Sequence, residues 1–193
     1  MACQPGQPCE NGLCKAVCTP ATCAQGCCSP QQQCLPFAQQ SDGACGLNAG
    51  PCQPCGGGNT CTNGKCVKSW KVLVLSAAVS DRPGGWDGST SISGPEPDPF
   101  VVVQVNATGK SGKTNFIDDT FIPVFNQQVL VETEAMLAFG VTCEVKEDDG
   151  FLPSESMGIC AVPSISPAVL QSGKMVIKPC SGNVIEVVLG FTP

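Results

Sequence analysis

A chain of 193 residues with sixteen cysteines, no histidine and a formal charge of −6 can hold one ordinary domain or two unequal ones. The lack of histidine excludes Ser-His-Asp and Cys-His catalysis, and no apolar run approaches the roughly 20 residues of a membrane-spanning helix. Three Lys and two acids precede Trp70, against seven basic and fourteen acidic residues from Trp70 onward, so the C-terminal part is a poor match for nucleic acid.

Thirteen of the cysteines lie between Cys3 and Cys66. Large apolar residues are sparse there, so cross-links must do what burial does elsewhere, which points to an oxidising compartment. This predicts a small, disulfide-stapled module over residues 1–67. Cys9-Glu-Asn-Gly-Leu-Cys14 and Cys61-Thr-Asn-Gly-Lys-Cys66 are near copies. Asn-Gly favours the positive φ angles of a type I′ turn, so each copy reads as a tight hairpin with a cysteine at each foot. Zinc would need paired Cys or His ligands, and here only Cys52-Gln-Pro-Cys55 has the C-x2-C form. The same unit has no βαβ pattern around it, which argues against a redox motif. Gly26-Cys27-Cys28 and its surroundings resemble cysteine-rich segments of secreted bacterial proteins.

An odd count leaves one thiol of the module without a local partner. Cys3 is the candidate, either acylated, as after a bacterial lipoprotein cleavage site, or bridged to Cys143, Cys160 or Cys180. Met1 leads almost directly into Cys3 and no secretory signal is visible, so a signal is expected to have been removed, cut from this sequence or missed where its start was assigned.

From residue 68 to 193 the pattern changes to short Val/Ile/Leu/Phe-rich runs bounded by Gly, Pro, Asn, Asp or Ser. Strands are expected over 70–79, 100–106, 113–120, 128–133, 136–147, 157–162, 174–178 and 184–191. Eight such runs without a convincing helix predict an all-β, eight-stranded antiparallel sandwich or barrel. Gly109-Lys-Ser-Gly-Lys113-Thr114 approaches a phosphate-loop pattern, but the first glycine would fall on Ala107, so it reads as a polar hairpin turn. Asn106-Ala-Thr108 fits a glycosylation sequon.

Specific residues narrow the fold. Trp70-Lys-Val-Leu-Val-Leu, Pro97-Asp98-Pro99-Phe100-Val, Asp119-Thr120 with Pro123-Val-Phe-Asn126, and Val145-Lys-Glu147-Asp-Asp149-Gly followed by Glu155-Ser-Met-Gly158 occur in order. Together with the terminal Val-Ile-Glu-Val-Val-Leu-Gly-Phe191 they resemble the motifs of the C2 domain family across this whole region. The resemblance implies a C2-like β-sandwich, calcium held by two acidic loops, and docking on phospholipid or on a protein partner.

The acids are placed to match. Eight of the fourteen fall in two segments: Asp81, Asp87, Glu96 and Asp98, then Glu147, Asp148, Asp149 and Glu155. Calcium takes six to eight oxygen ligands, and carboxylates supply oxygen and charge together. The resemblance implies Asp87, Asp98, Glu147, Asp149 and Glu155 as the metal ligands, with Asp81 as the substitute for Asp87 because the first loop carries an insertion from Gly88 to Pro95. Trp86, Phe151 and Leu152 stand beside these acids and suit contact with a membrane interface. Two functional readings follow. One is a non-enzymatic, secreted or surface-tethered binding protein that uses calcium. The other is a metal-free structural or adhesion protein with a disulfide-rich interaction head; an inhibitor or toxin-like role for that head is a weaker third.

Overall fold

The computed structural model describes residues 9–10, 13–14, 17–83, 85–86, 96–148 and 153–193. It divides into two compact units, Met1–Ser69 together with Pro193, and Trp70–Thr192.

In the first unit, β1 (Cys9–Glu10) pairs with β2 (Leu13–Cys14), and Cys9 lies opposite Cys14 as the first Asn-Gly copy requires. Strands β3 (Gly26–Cys28) and β4 (Cys34–Pro36) form a second small ladder, followed by a 3-10 turn at Phe37–Gln39. The second Asn-Gly copy joins β5 (Asn59–Thr62) to the start of β6 (Lys65–Val79), with Cys61 opposite Cys66. Asn63 and Gly64 have φ of 49° and 76°, both positive as a type I′ turn demands.

The facing cysteines of the second hairpin do not bond to each other. Cys61 joins Cys45 and Cys66 joins Cys55, so the hairpin is fastened to the loop before it. The bonds Cys18–Cys28, Cys23–Cys34 and Cys27–Cys52 complete the framework among the described residues. Among the described residues of this unit the buried apolar ones are Cys23, Cys27 and Cys45, so half-cystines form its core. Each bridge is worth about 2–4 kcal/mol through the freedom it removes from the unfolded chain.

The second unit is a sandwich of eight antiparallel strands. One sheet has the order β11 (Ser156–Val162), β10 (Val141–Glu147), β7 (Pro99–Val105), β8 (Ser111–Lys113). The other contains β12 (Lys174–Ile177), β13 (Val184–Thr192) and residues 70–79 of β6, with β9 (Val124–Thr133) paired to β6. Alternation decides which side chains go inside. Val101, Val103 and Val105 lie opposite Val145, Cys143 and Val141, and all six are 0 % exposed. On β6 the buried set passes from Val72 and Val74 to Ala77 and Val79, a change of parity taken up by a bulge against Val188/Leu189.

Four expectations change in the structure. The strand expected over 136–147 begins as a helical turn, α1 (Glu134–Leu137), whose first turn is capped by the Thr133 hydroxyl. A second helix, α2 (Pro167–Ser172), carries all three sequence signals of a short helix: Ser166 as cap, Pro167 at the first turn and Gly173 in the left-handed conformation at the end. The strand expected over 113–120 stops at Lys113. Beyond it the chain follows β7 irregularly, with Thr114 and Ile117 donating to the carbonyls of Val101 and Pro99. The hairpin turn between β7 and β8 falls at residues 105–110, earlier than the turn expected over 109–114, of which Ser111–Lys113 are strand.

Of the three later cysteines, Cys160 and Cys180 are bonded and Cys143 is a buried thiol, which desolvation pushes up to about 12. Cys3 lies outside the described residues. The Asn106 side chain is engaged on both sides, donating to the carbonyls of Phe139 and Val162 and accepting from Thr142.

Gly140 and Gly109 share a left-handed φ, at 78° and 69°, but a Cβ on Gly140 would sit 1.9 Å from the Val162 carbonyl oxygen while one on Gly109 meets nothing closer than 4.0 Å. Gly140→Ala is therefore expected to cost well over about 1 kcal/mol in denaturant unfolding, and more than Gly109→Ala, which bears only the conformational cost.

Candidate functional site

The acidic loops meet where β7 begins and β10 ends, and the two strands fix this in register: Pro99 lies opposite Glu147. Pro99 keeps the residue before it extended, and that residue is Asp98. Its backbone and side chain are tied to two other segments. The Asp98 amide donates to Glu147 Oε1 at 2.9 Å, and the Asp98 carbonyl accepts from the Asp148 amide at 3.1 Å. Asp98 Oδ1 accepts from the Asp119 amide at 2.7 Å. Asp119 sits at φ 48°, a left-handed turn position that Asp tolerates better than most residues.

The electrostatics follow from this crowding. Burial raises the Asp98 carboxyl above its ordinary range; the Asp119 amide pulls it down, and the charges of Asp118, Asp119 and Asp148 push it up again. Asp98 is thus the centre of a negative cluster drawn from three loops.

Glu147 is 0 % exposed and spends one carboxylate oxygen on the Asp98 amide, while its own amide donates to the Glu155 carbonyl at 2.8 Å. Its position joins the loops from inside. Glu155 instead pairs through Oε2 with Arg82 Nη1 at 2.7 Å. Arg82 also donates to the carbonyls of Gly85 and Trp86 and lies 4.2 Å over the Trp86 ring. With both partners partly exposed, the ion pair itself adds little stability; the fork of hydrogen bonds gives it its geometry. Trp86 is 4 % exposed and its Nε1 donates to the Ser80 carbonyl, so this ring belongs to the core cluster rather than to the surface. Asp81 Oδ1 accepts from the adjacent Arg82 amide.

Asp87, Asp149, Phe151 and Leu152 lie outside the described residues. Among the described residues, the groups of three side chains close enough to share an ion are Cys18/Cys23/Cys34 and Cys45/Cys55/Cys66, and every member is in a disulfide. Sequence reasoning passed over Asp118 and Asp119 as site residues. Their signal was present as two adjacent acids ahead of Thr120, but Asp119 served only to mark a motif.

An eight-stranded antiparallel sandwich with carboxylates gathered at one loop end places the chain among all-β sandwich domains. Residues 72–178, more than half of the chain, match the family model of the C2 domain, and the chain belongs to that family. Among solved structures, it is similar to the C2A domain of a plant extended synaptotagmin 1 at 16% identity, covering 66% of this chain and 95% of that one with a TM-score of 0.44. It is likewise similar to a C2 domain-containing protein from a putative elicitor-responsive gene, at 15% identity, with coverage of 66% and 90% and a TM-score of 0.43. Human GIVD cytosolic phospholipase A2 matches at 20% identity over 64% of this chain and 16% of the enzyme, with a TM-score of 0.43. No curated protein matches the chain.

The raised carboxyl of Asp98 gives a signed expectation. Its neutral form is favoured by folding, so that contribution is present below the unfolded value near 3.8 and is lost as pH rises through the folded value. In EDTA, Asp98→Asn should raise the unfolding midpoint at neutral pH, and the gain should shrink as pH falls towards that range. A gain that grows at low pH contradicts the assignment.

Proposed function

We propose that the C2 domain binds calcium at the Asp98 end of the sandwich and, once its charge is offset there, docks on a phospholipid surface or a protein partner. The observation that carries this reading is the gathering of Asp118, Asp119 and Asp148 around a partly buried Asp98. Such a set is costly without a cation and offers the hard oxygen donors that calcium takes. Asp98 and Asp148 would hold the ion with help from Asp87 and Asp149, while Glu147 and Glu155 keep the loops in place through Asp98 and Arg82. Calcium would supply positive charge to an end that otherwise repels anionic surfaces. The disulfide framework supports a secreted or cell-surface setting, with Cys3 as the proposed point of lipidation, since Cys160 and Cys180 are bonded to each other and Cys143 is a buried thiol. The chain acts in this reading as a non-enzymatic binding protein.

A metal-free scaffold is the second reading. The Arg82–Glu155 pair and the Glu147–Asp98 hydrogen bond favour it, because they already join these loops without an ion.

Thermal unfolding of the oxidised full chain in EDTA and in millimolar calcium separates the two. A ligand bound only by the folded state at 100 times its dissociation constant adds about 2.7 kcal/mol. Calcium is expected to raise the midpoint of the wild type, and Asp98→Asn to remove most of that rise. An unmoved midpoint selects the scaffold reading.

A further inference from the structure

Arg82 stands among the acids of the loop end, and every nitrogen of its guanidinium is engaged. Nη1 donates to Glu155 Oε2 at 2.7 Å, while Nε and Nη2 donate to the carbonyls of Gly85 and Trp86, each at 2.9 Å. Its Cζ lies 4.2 Å from the centroid of the Trp86 ring, a ring that is itself part of the core. The Arg82 amide donates to Asp81 Oδ1, and the Asp81 carbonyl accepts from the Asn183 side chain. Lys178 and Glu186 show the contrast: they approach to 3.5 Å, and the lysine side chain is 64 % exposed. The Arg82 side chain is 34 % exposed, and its fork is aimed by two carbonyls and a ring. Glu155 leads on to Asp98 through the backbone. Its carbonyl accepts from the Glu147 amide, and Glu147 Oε1 accepts from the Asp98 amide.

A fixed positive charge at this place has three consequences. Arginine stays protonated at every pH at which the fold survives, so the charge can be neither titrated off nor chelated away. The guanidinium has donors but no acceptor, so it cannot itself ligate an ion. It also occupies the Glu155 carboxylate, a hard oxygen donor of the kind calcium takes. We propose that Arg82 is a resident cation of the loop end: it takes the role of one divalent ion, withdraws Glu155 from coordination and limits calcium to the Asp98 side. The small contribution of a partly exposed pair to stability agrees with this. What such a pair does achieve is electrostatic, because a neighbouring positive charge opposes any further cation at the same loops. The inference deepens the calcium reading and takes the ion from it, but the part given to Arg82 holds whether or not the Asp98 side is filled.

The test is calcium titration calorimetry on the oxidised full chain, for wild type, Arg82→Gln, Arg82→Lys and the double variant Arg82→Gln/Glu155→Gln, with unfolding midpoints in EDTA. Arg82→Gln is expected to bind one more calcium per chain than the wild type. Arg82→Lys keeps the charge without the fork and is expected to keep the wild-type count, and the double variant to lose the extra ion. A residue that only braces the loops would lower the midpoint in both Arg82 variants and leave the count alone. The assignment is overturned by a wild-type count in Arg82→Gln, by an extra ion in Arg82→Lys, or by an extra ion that survives in the double variant. If Arg82→Gln does not fold in EDTA, the double variant decides: a regained midpoint blames the uncompensated Glu155 charge and keeps the assignment, and one that stays lost overturns it. A wild type that binds no calcium, beside an Arg82→Gln chain that does, ends the calcium reading and keeps the resident cation. Calcium binding by the wild type with the same count in Arg82→Gln does the reverse.

Discussion

Three hydrogen bonds to one residue organise the loop end of the sandwich. Asp98 presents its amide to Glu147, its carbonyl to Asp148 and its carboxylate to Asp119, so the start of β7, the end of β10 and the approach to β9 are set against one another. Each bond to a charged acceptor is of the stronger kind. Together they also force like charges into one place, because the Asp119 amide that favours the Asp98 carboxylate brings the Asp118 and Asp119 charges with it.

The two units obtain their stability by different physics. The sandwich has valines filling both faces of its interior, and burial at about 25 cal/mol per Å2 carries it. The first unit has half-cystines where a larger domain has leucine and phenylalanine. Its order therefore depends on redox conditions, whereas the sandwich has one bridge, Cys160–Cys180, added to a complete core.

Much of the fold was legible because strand patterning and turn chemistry act locally. Asn63-Gly64 announced its hairpin, and the alternating valines announced β7 and β10. The pairing of Cys61 with Cys45 was not legible, because which cysteines meet depends on how loops cross and not on spacing. Helix α1 was hidden in a hydrophobic run: Leu137 is buried as it would be in a strand, and only Thr133 and Gly140 mark the ends. At the site, charge density found Asp98 but could not tell a ligand from a strut. Glu155 looks like a donor in one dimension, and only the fold brings Arg82 to it. Trp86 looked like a tip residue for the same reason: sequence gives its neighbours, not the ring of Arg82 contacts and core side chains around it. Asp118 and Asp119 enter the cluster through a turn whose approach to Asp98 is a tertiary fact.

The central claim is that Asp98 sits in a negative field that calcium relieves. It is tested most directly by an NMR titration of the Asp98 side-chain carboxyl in the oxidised full chain, in EDTA and then in calcium. The account predicts a titration above the ordinary carboxylate range in EDTA that moves well below it when calcium is present. An ordinary titration in EDTA, unmoved by calcium, would contradict it.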